Sequence, residues 1–316
     1  MKEHFPGFYS FDENEIGRLI SSATIVFDVD VLLDLFRMKK EVVESLLSLM
    51  EDSQVKGRLW LPYDVAWLYH HAMNGEIIKQ IDHINSALSH LTQCHDAITC
   101  FKKFPYLRQN HIDVLNRAIE SIREVCNDQQ AELTDALKSS PIKERMDTLF
   151  RNKIGPSYQD QELTSIYSDG EIRYPHSIPP GYARGSHTDK RICYHDLIVW
   201  KQMIKYSKEM ERNNNRKDIL LVTGNIRKDW YYIVKDQLVS PRHELINEFH
   251  QEAESRFCCI SMRRFVEMSC SQFHITLSNH SEVLAHLTEN VEYSSADANY
   301  VGSNSMQTME SDNTSV

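Results

Sequence analysis

The feature that most restricts the fold is a four-residue β-prone run, Thr24-Ile25-Val26-Phe27, that stops at Asp28 and gives way at once to helical patterning. A strand with no polar alternation is buried on both faces, as parallel strands are. Helical periodicity runs from Val31 to Met50, interrupted near Met38-Lys39-Lys40. A second short run, Arg58-Leu59-Trp60-Leu61, ends at Pro62, a residue suited to open a helix at its first turn. Far along the chain, Asp218-Ile219-Leu220-Leu221-Val222-Thr223 is the strongest strand signal; it follows a helix from about His195 to Met210 and the polar break Asn213-Asn214-Asn215. Pro241 to about Ser255 then reads as helix, Phe257-Cys258-Cys259-Ile260 as strand, and Met262 to Met268 as helix. This alternation predicts an α/β fold with parallel strands.

Between these strands lies a long helical block. Ile77, Ile81, Ile84, Leu88 and Leu91 step by 4, 3, 4, 3, and Ile112, Leu115, Ile119, Ile122 and Cys126 by 3, 4, 3, 4, with the seam continuing through Leu133 and Leu137. Phe104-Pro105-Tyr106 breaks the pattern, so an antiparallel helical hairpin is expected over about 74–150. His83 and His90 sit on this arm without a carboxylate at ligand spacing and read as solvated or seam-edge side chains rather than metal ligands. Residues 151–185 read as loop, on the strength of Ile154-Gly155-Pro156, Asp169-Gly170 and Ile178-Pro179-Pro180-Gly181-Tyr182.

Composition excludes several classes. The chain has 316 residues, 41% hydrophobic and 25% charged, enough to bury a core in one large domain or two small ones. Only 10 glycines argue against Gly-rich phosphate loops and turn-dense all-β folds. No run approaches the roughly 18 apolar residues of a membrane span, and the N-terminal segment lacks a secretory apolar core. The 7 cysteines are odd in number and form no C-x-x-C pair, which points away from disulfides and structural zinc and toward a reduced cytoplasm. Residues 1–290 are expected to form one domain, and the Ser/Asn/Asp-rich residues 291–316 a disordered acidic tail.

Net charge is −10, yet Arg173 to Lys205 carries six bases against Asp189 and Asp196, so the global sign does not exclude a nucleic-acid partner. In open parallel sheets ligands bind beyond the carboxyl ends of the strands. Two strands end in suitable groups there: Phe27 leads into Asp28-Val29-Asp30, and Val222 into Thr223-Gly224-Asn225. Asp196 begins the helix after the basic loop. Converging carboxylates suit a hard divalent cation, which activates water for phosphodiester hydrolysis. Position alone also allows plainer roles: Asp28 and Asp30 as helix caps, Asp196 as a first-turn acid, Asn225 as an Asx-turn former and Asp229 as a solvated helix residue. Trp200 and Trp230 read as packing residues.

Five stretches together resemble the PIN-like domain family, a branch of the PIN nuclease superfamily often found in bacterial genes of defence or toxin type. They are Ile25-Val26-Phe27-Asp28-Val29-Asp30-Val31-Leu32-Leu33-Asp34, Gly57 to Pro62, Ile178-Pro179-Pro180-Gly181-Tyr182, Asp196-Leu197-Ile198-Val199-Trp200-Lys201-Gln202, and Leu221-Val222-Thr223 through Asp229-Trp230 to Phe249. The resemblance covers roughly residues 15–270. It implies a Rossmann-like parallel sheet flanked by helices and, in active members, Mg²⁺- or Mn²⁺-dependent RNA cleavage by clustered acids. Asp28, Asp196 and Asp229 match acidic positions and are the implied catalytic residues, with Asp28, Asp30 and Asp196 as metal ligands. Thr223, Asn225, Arg184, Lys190 and Arg191 are the expected contacts to RNA or single-stranded nucleic acid. The chain departs from the pattern where Leu68, Arg184 and Asn225 replace acids and Asp30 replaces an Asn. A metal-dependent endoribonuclease is therefore the leading expectation, and a catalytically degenerate module that binds nucleic acid, or a protein through the hairpin, the alternative. A haloacid-dehalogenase-type phosphatase is excluded, because the run Phe257 to Ile260 leads into Ser261-Met262-Arg263 and no acid pair.

Overall fold

The computed structural model describes residues 1–287 apart from 2, 10, 101–106, 186, 213–217, 225–226 and 235–236. In chain order its main elements are α1 (Glu13–Ser22), β1 (Thr24–Phe27), α2 (Val29–Asp34), α3 (Lys40–Glu51), α4 (Ser53–Lys56), α5 (Tyr63–Thr99), α6 (Gln109–Ala136), α7 (Pro141–Leu149) and α8 (Asp160–Arg173). They continue with α9 (Lys190–Cys193), α10 (His195–Arg212), β2 (Ile219–Thr223), β3 (Tyr231–Val234), β4 (Gln237–Pro241), α11 (His243–Ala253), β5 (Phe257–Ser261) and α12 (Met262–Phe273). Two compact units result: residues 1–32, 38–67 and 150 onward form one, and residues 33–37 and 68–149 the other.

The first unit is built on a parallel sheet in the order β1-β2-β5. Ile25 pairs with Leu220 and Leu221 with Cys259, so β2 lies beside β1 and β5 extends the sheet beyond β2. Every residue of β1 and β2 is buried, as expected of strands covered by helices on both faces. Leu59 forms a parallel bridge to Ile25 and Leu61 one to Ile154, which carries the sheet's hydrogen bonding two segments further. The helical side of the core is aromatic. Trp200 packs edge-on to Phe257 at 4.9 Å and to Trp230 at 6.2 Å, while Phe27 meets Phe265 edge-on at 5.4 Å. Among the described residues no helix is long and apolar enough to cross a membrane, and all seven cysteines are free thiols.

Two expectations need correction here. Residues 151–185 are not loop throughout, because α8 occupies Asp160–Arg173. A capping box between Gln159 and Glu162 starts it, and Leu163, Ile166 and Gly170 form its buried face. Gly170 is a packing glycine and not a turn: a Cβ there would collide with the Tyr194 ring. Asp229 is not on a solvated helix; it lies fully buried in the turn before β3. The antiparallel pair β3–β4 follows it.

In the second unit α5 and α6 exchange polar contacts in opposite chain order. Gln130 donates to Asn85 at 3.2 Å, Arg123 to Thr92 at 3.0 Å, and His95 meets Asn116 at 2.8 Å. The seam positions are mostly half-buried, with Ile77 and Ile119 fully so, but Ile122 is 46% exposed and does not belong to it. His83 and His90 are exposed. The Phe104-Pro105-Tyr106 breaker and the 291–316 tail lie outside the described residues.

Candidate functional site

The site stands where β1 and β2 end. The backbone N–H of Asp28 donates to the Val222 carbonyl at 2.9 Å, which brings the first residue after β1 level with the end of β2. The Thr223 hydroxyl then donates to one Asp28 carboxylate oxygen at 2.8 Å, and the Val29 N–H to the other at 2.7 Å. Asp28 is buried, and burial pushes its pKa up to about 7, with the neighbouring charges of Asp30 and Asp196 adding to the rise. Arg184 and the Thr223 hydrogen bond pull the other way.

Asp196 arrives from the first turn of α10, a helix buried along Leu197 to Trp200. Arg184 donates to both of its oxygens, at 3.2 and 2.9 Å, and Arg227 donates to one of them as well. Burial alone would raise this carboxyl, but Arg184 and Arg227 outweigh it and hold Asp196 well below the usual carboxylate range. Arg227 also lies 3.4 Å from Asp229, whose other oxygen accepts the Gly181 N–H at 2.8 Å. Burial leaves Asp229 raised despite Arg227. Gly181 sits at φ +98, a conformation that glycine adopts without strain, and a Cβ there would press on Tyr174 and on Asp196. Arg173 fixes the approach of this loop, donating to the Pro179 carbonyl at 3.1 Å and to Glu248 at 2.9 and 2.6 Å.

Of the residues singled out from sequence, Asp28, Asp30, Asp196, Thr223 and Arg184 interact around one point, and Asp229 joins them through Arg227. Lys190 and Arg191 do not face this point. Lys190 pairs with Glu171 at 2.9 Å, and Arg191 with Asp64 at 2.7 Å while stacking 4.4 Å above Trp67. Asn225 lies outside the described residues. Sequence reasoning passed over Arg227, His195 and Asp64. His195 is fully buried beside Asp196, neither ring nitrogen having a hydrogen-bond partner among the described residues, and burial drops its pKa to about 3, so the imidazole is neutral. Asp64, wholly buried one turn before Leu68, holds Gln202 at 3.0 Å as well as Arg191.

A divalent cation requires several carboxylate oxygens free to turn toward it. Here both oxygens of Asp196 are held by guanidinium groups and both of Asp28 by hydrogen-bond donors. Two positive side chains stand inside the cluster, and among the described residues no three His, Cys, Asp or Glu side chains are grouped to hold a metal. The arrangement does not fit a metal centre.

No curated protein and no solved structure matches the chain. A model of the PIN like domain family matches residues 24–245, the span that contains β1, β2 and every acid of the site. The chain therefore belongs to the PIN-like domain family.

Proposed function

We propose that this chain is a PIN-like module that binds single-stranded RNA without hydrolysing it. One observation carries the reading: the Arg184 guanidinium occupies both oxygens of Asp196, with Arg227 on the same carboxylate. A bidentate guanidinium supplies fixed positive charge where a nuclease of this superfamily needs a removable, water-bearing cation. It also relieves the repulsion that bare aspartates would exert on a phosphate, leaving a site able to accept an RNA backbone and unable to activate water on it. The long α5–α6 arm is read as an inserted hairpin open to a protein partner.

The test is RNA binding followed by fluorescence anisotropy in EDTA, alongside Mn²⁺ titration by calorimetry. Binding that ignores Mn²⁺, with no saturable metal uptake and no cleavage products, is the expected result.

A second reading, metal-dependent endoribonuclease action through Asp28, Asp196 and Asp229, draws on the rise of Asp28 to about 7, caused first by burial and then by the charges of Asp30 and Asp196 beside it. Mn²⁺-dependent RNA cleavage abolished by Asp28→Ala would establish that reading and end the first.

A further inference from the structure

Among the described residues the markedly exposed large aromatics are Phe5, Phe8, Tyr9 and Tyr232, confined to two short segments. Phe8 is 62% exposed and lies against the His243 imidazole, ring centroids 4.3 Å apart; Phe5 is 6.3 Å from Phe8, and Tyr232 is 6.4 Å from the same imidazole. The N-terminal segment is seated firmly. The Gly7 N–H donates to the Asn247 side chain at 2.9 Å, and a Cβ at Gly7 would come within 2.9 Å of the His243 Cα. Tyr232 is turned outward by strand alternation, its neighbour Tyr231 being buried.

This corner adjoins the acid–arginine site along the chain. Lys228, next to Asp229, is exposed, has no acidic partner among the described residues, and carries its ammonium 6.0 Å from the Tyr182 ring. The Tyr182 hydroxyl donates to the Lys228 carbonyl at 3.1 Å, which ties the loop after Gly181 to the turn before β3. Arg242 is near but its charge is taken by Glu244. Contiguous exposed apolar surface marks a binding site. Flat rings with an exposed lysine four residues from Tyr232, its carbonyl 3.5 Å from the guanidinium of Arg242 next to His243, match bases and phosphate better than they match an aliphatic protein surface. The exposed aliphatic side chains Val114, Ile122 and Val125 lie in other segments, whereas Met1 heads the same N-terminal segment.

We propose that Phe8 and Tyr232, with His243 touching both, form a stacking ledge for unpaired bases of RNA, and that Lys228 takes a phosphate between this ledge and Asp229. The inference rests on the RNA-binding reading and locates where the strand is held. Base stacking on aromatic side chains is sequence-tolerant and demands a single strand.

A labelled mixed-sequence single-stranded RNA, titrated in EDTA with the full chain, tests it. Phe8→Ala and Tyr232→Ala each weaken binding about tenfold, Phe8→Trp restores it, and a duplex of the same sequence binds far more weakly. Lys228→Ala lowers the salt slope by about 0.7. Wild-type affinity in both alanine variants overturns the ledge and leaves RNA binding by the chain intact. Failure of the unaltered chain to bind RNA overturns both. Self-association that Phe8→Ala abolishes, with RNA affinity unchanged, reassigns this corner to protein contact.

Discussion

Arg184 grips Asp196 with two nitrogens of one guanidinium, at 3.2 and 2.9 Å, although Asp196 is almost wholly buried. Such a pair adds little net stability over an apolar substitute, but removing Arg184 leaves the buried Asp196 with one of its carboxylate oxygens unmatched and Arg227 as its remaining cation. Arg184→Met therefore destabilises the protein by on the order of 3 kcal/mol, read as a lowered urea midpoint. Asp196→Asn in the Arg184→Met background recovers part of the loss. An unchanged midpoint in the single variant would show the pair to be solvated.

Asp28 makes stability fall as pH rises. Its folded pKa, about 7, lies above the ordinary 3.8 of an aspartate, so between these values the folded protein holds a proton that the unfolded chain has released. Stability contributed by protonated Asp28 is present below about pH 4 and lost progressively as pH climbs through 7. The displacement corresponds to about 4 kcal/mol. Asp196 slopes the other way, its contribution disappearing only in strong acid, below its unfolded pKa. Asp28→Asn flattens the pH 4–7 portion of a denaturation profile and stabilises the protein at pH 8; persistence of the slope would assign it to another group.

Gly170→Ala is a test of packing against propensity. Alanine is favoured over glycine within a helix by about 1 kcal/mol, but its Cβ would strike the Tyr194 ring and lie 3.3 Å from Leu197. Overpacking costs typically 1–3 kcal/mol, so the variant is less stable than the parent. A gain in melting temperature would mean that Tyr194 swings clear.

Asp64 depends on Arg191 and Gln202 for its satisfaction, and burial raises its pKa despite both. Arg191→Met costs about 3 kcal/mol, whereas Arg191→Met with Asp64→Asn costs much less. A double-mutant cycle on unfolding free energies measures the coupling, and additivity would show that the two act separately.

The parallel core was legible because its strands are short uninterrupted apolar runs, and Asp28 and Thr223 because they end those runs. Asp196 was legible at the head of a helix whose apolar face is nearly continuous. Asp229 was legible only through the family resemblance and Arg227 not at all: in Ile226-Arg227-Lys228-Asp229 alternating charge looks like a solvated face, and only tertiary burial turns it into an ion-pair network. Asp64 escaped notice because family spacing drew attention to Leu68, one turn along the same helix. The α8 helix was hidden by Asp169-Gly170, a turn signature that long-range packing against Tyr194 overrides. Exposure of Phe8 and Tyr232 is likewise a property of the folded surface, carried by no period in the chain.

Thr223, which steadies Asp28, is synthesised 195 residues after it. The strand that ends in Thr223 is the middle one of its sheet. A ribosome thus releases the Thr24–Phe27 segment long before its neighbour exists, and must do so with an apolar ribbon lacking its mate on one side. Contacts of such span fold late. A product terminated anywhere ahead of Ile219 holds neither a closed core nor a cradle for the aspartate, and is destined for proteolysis or a chaperone rather than for residual activity.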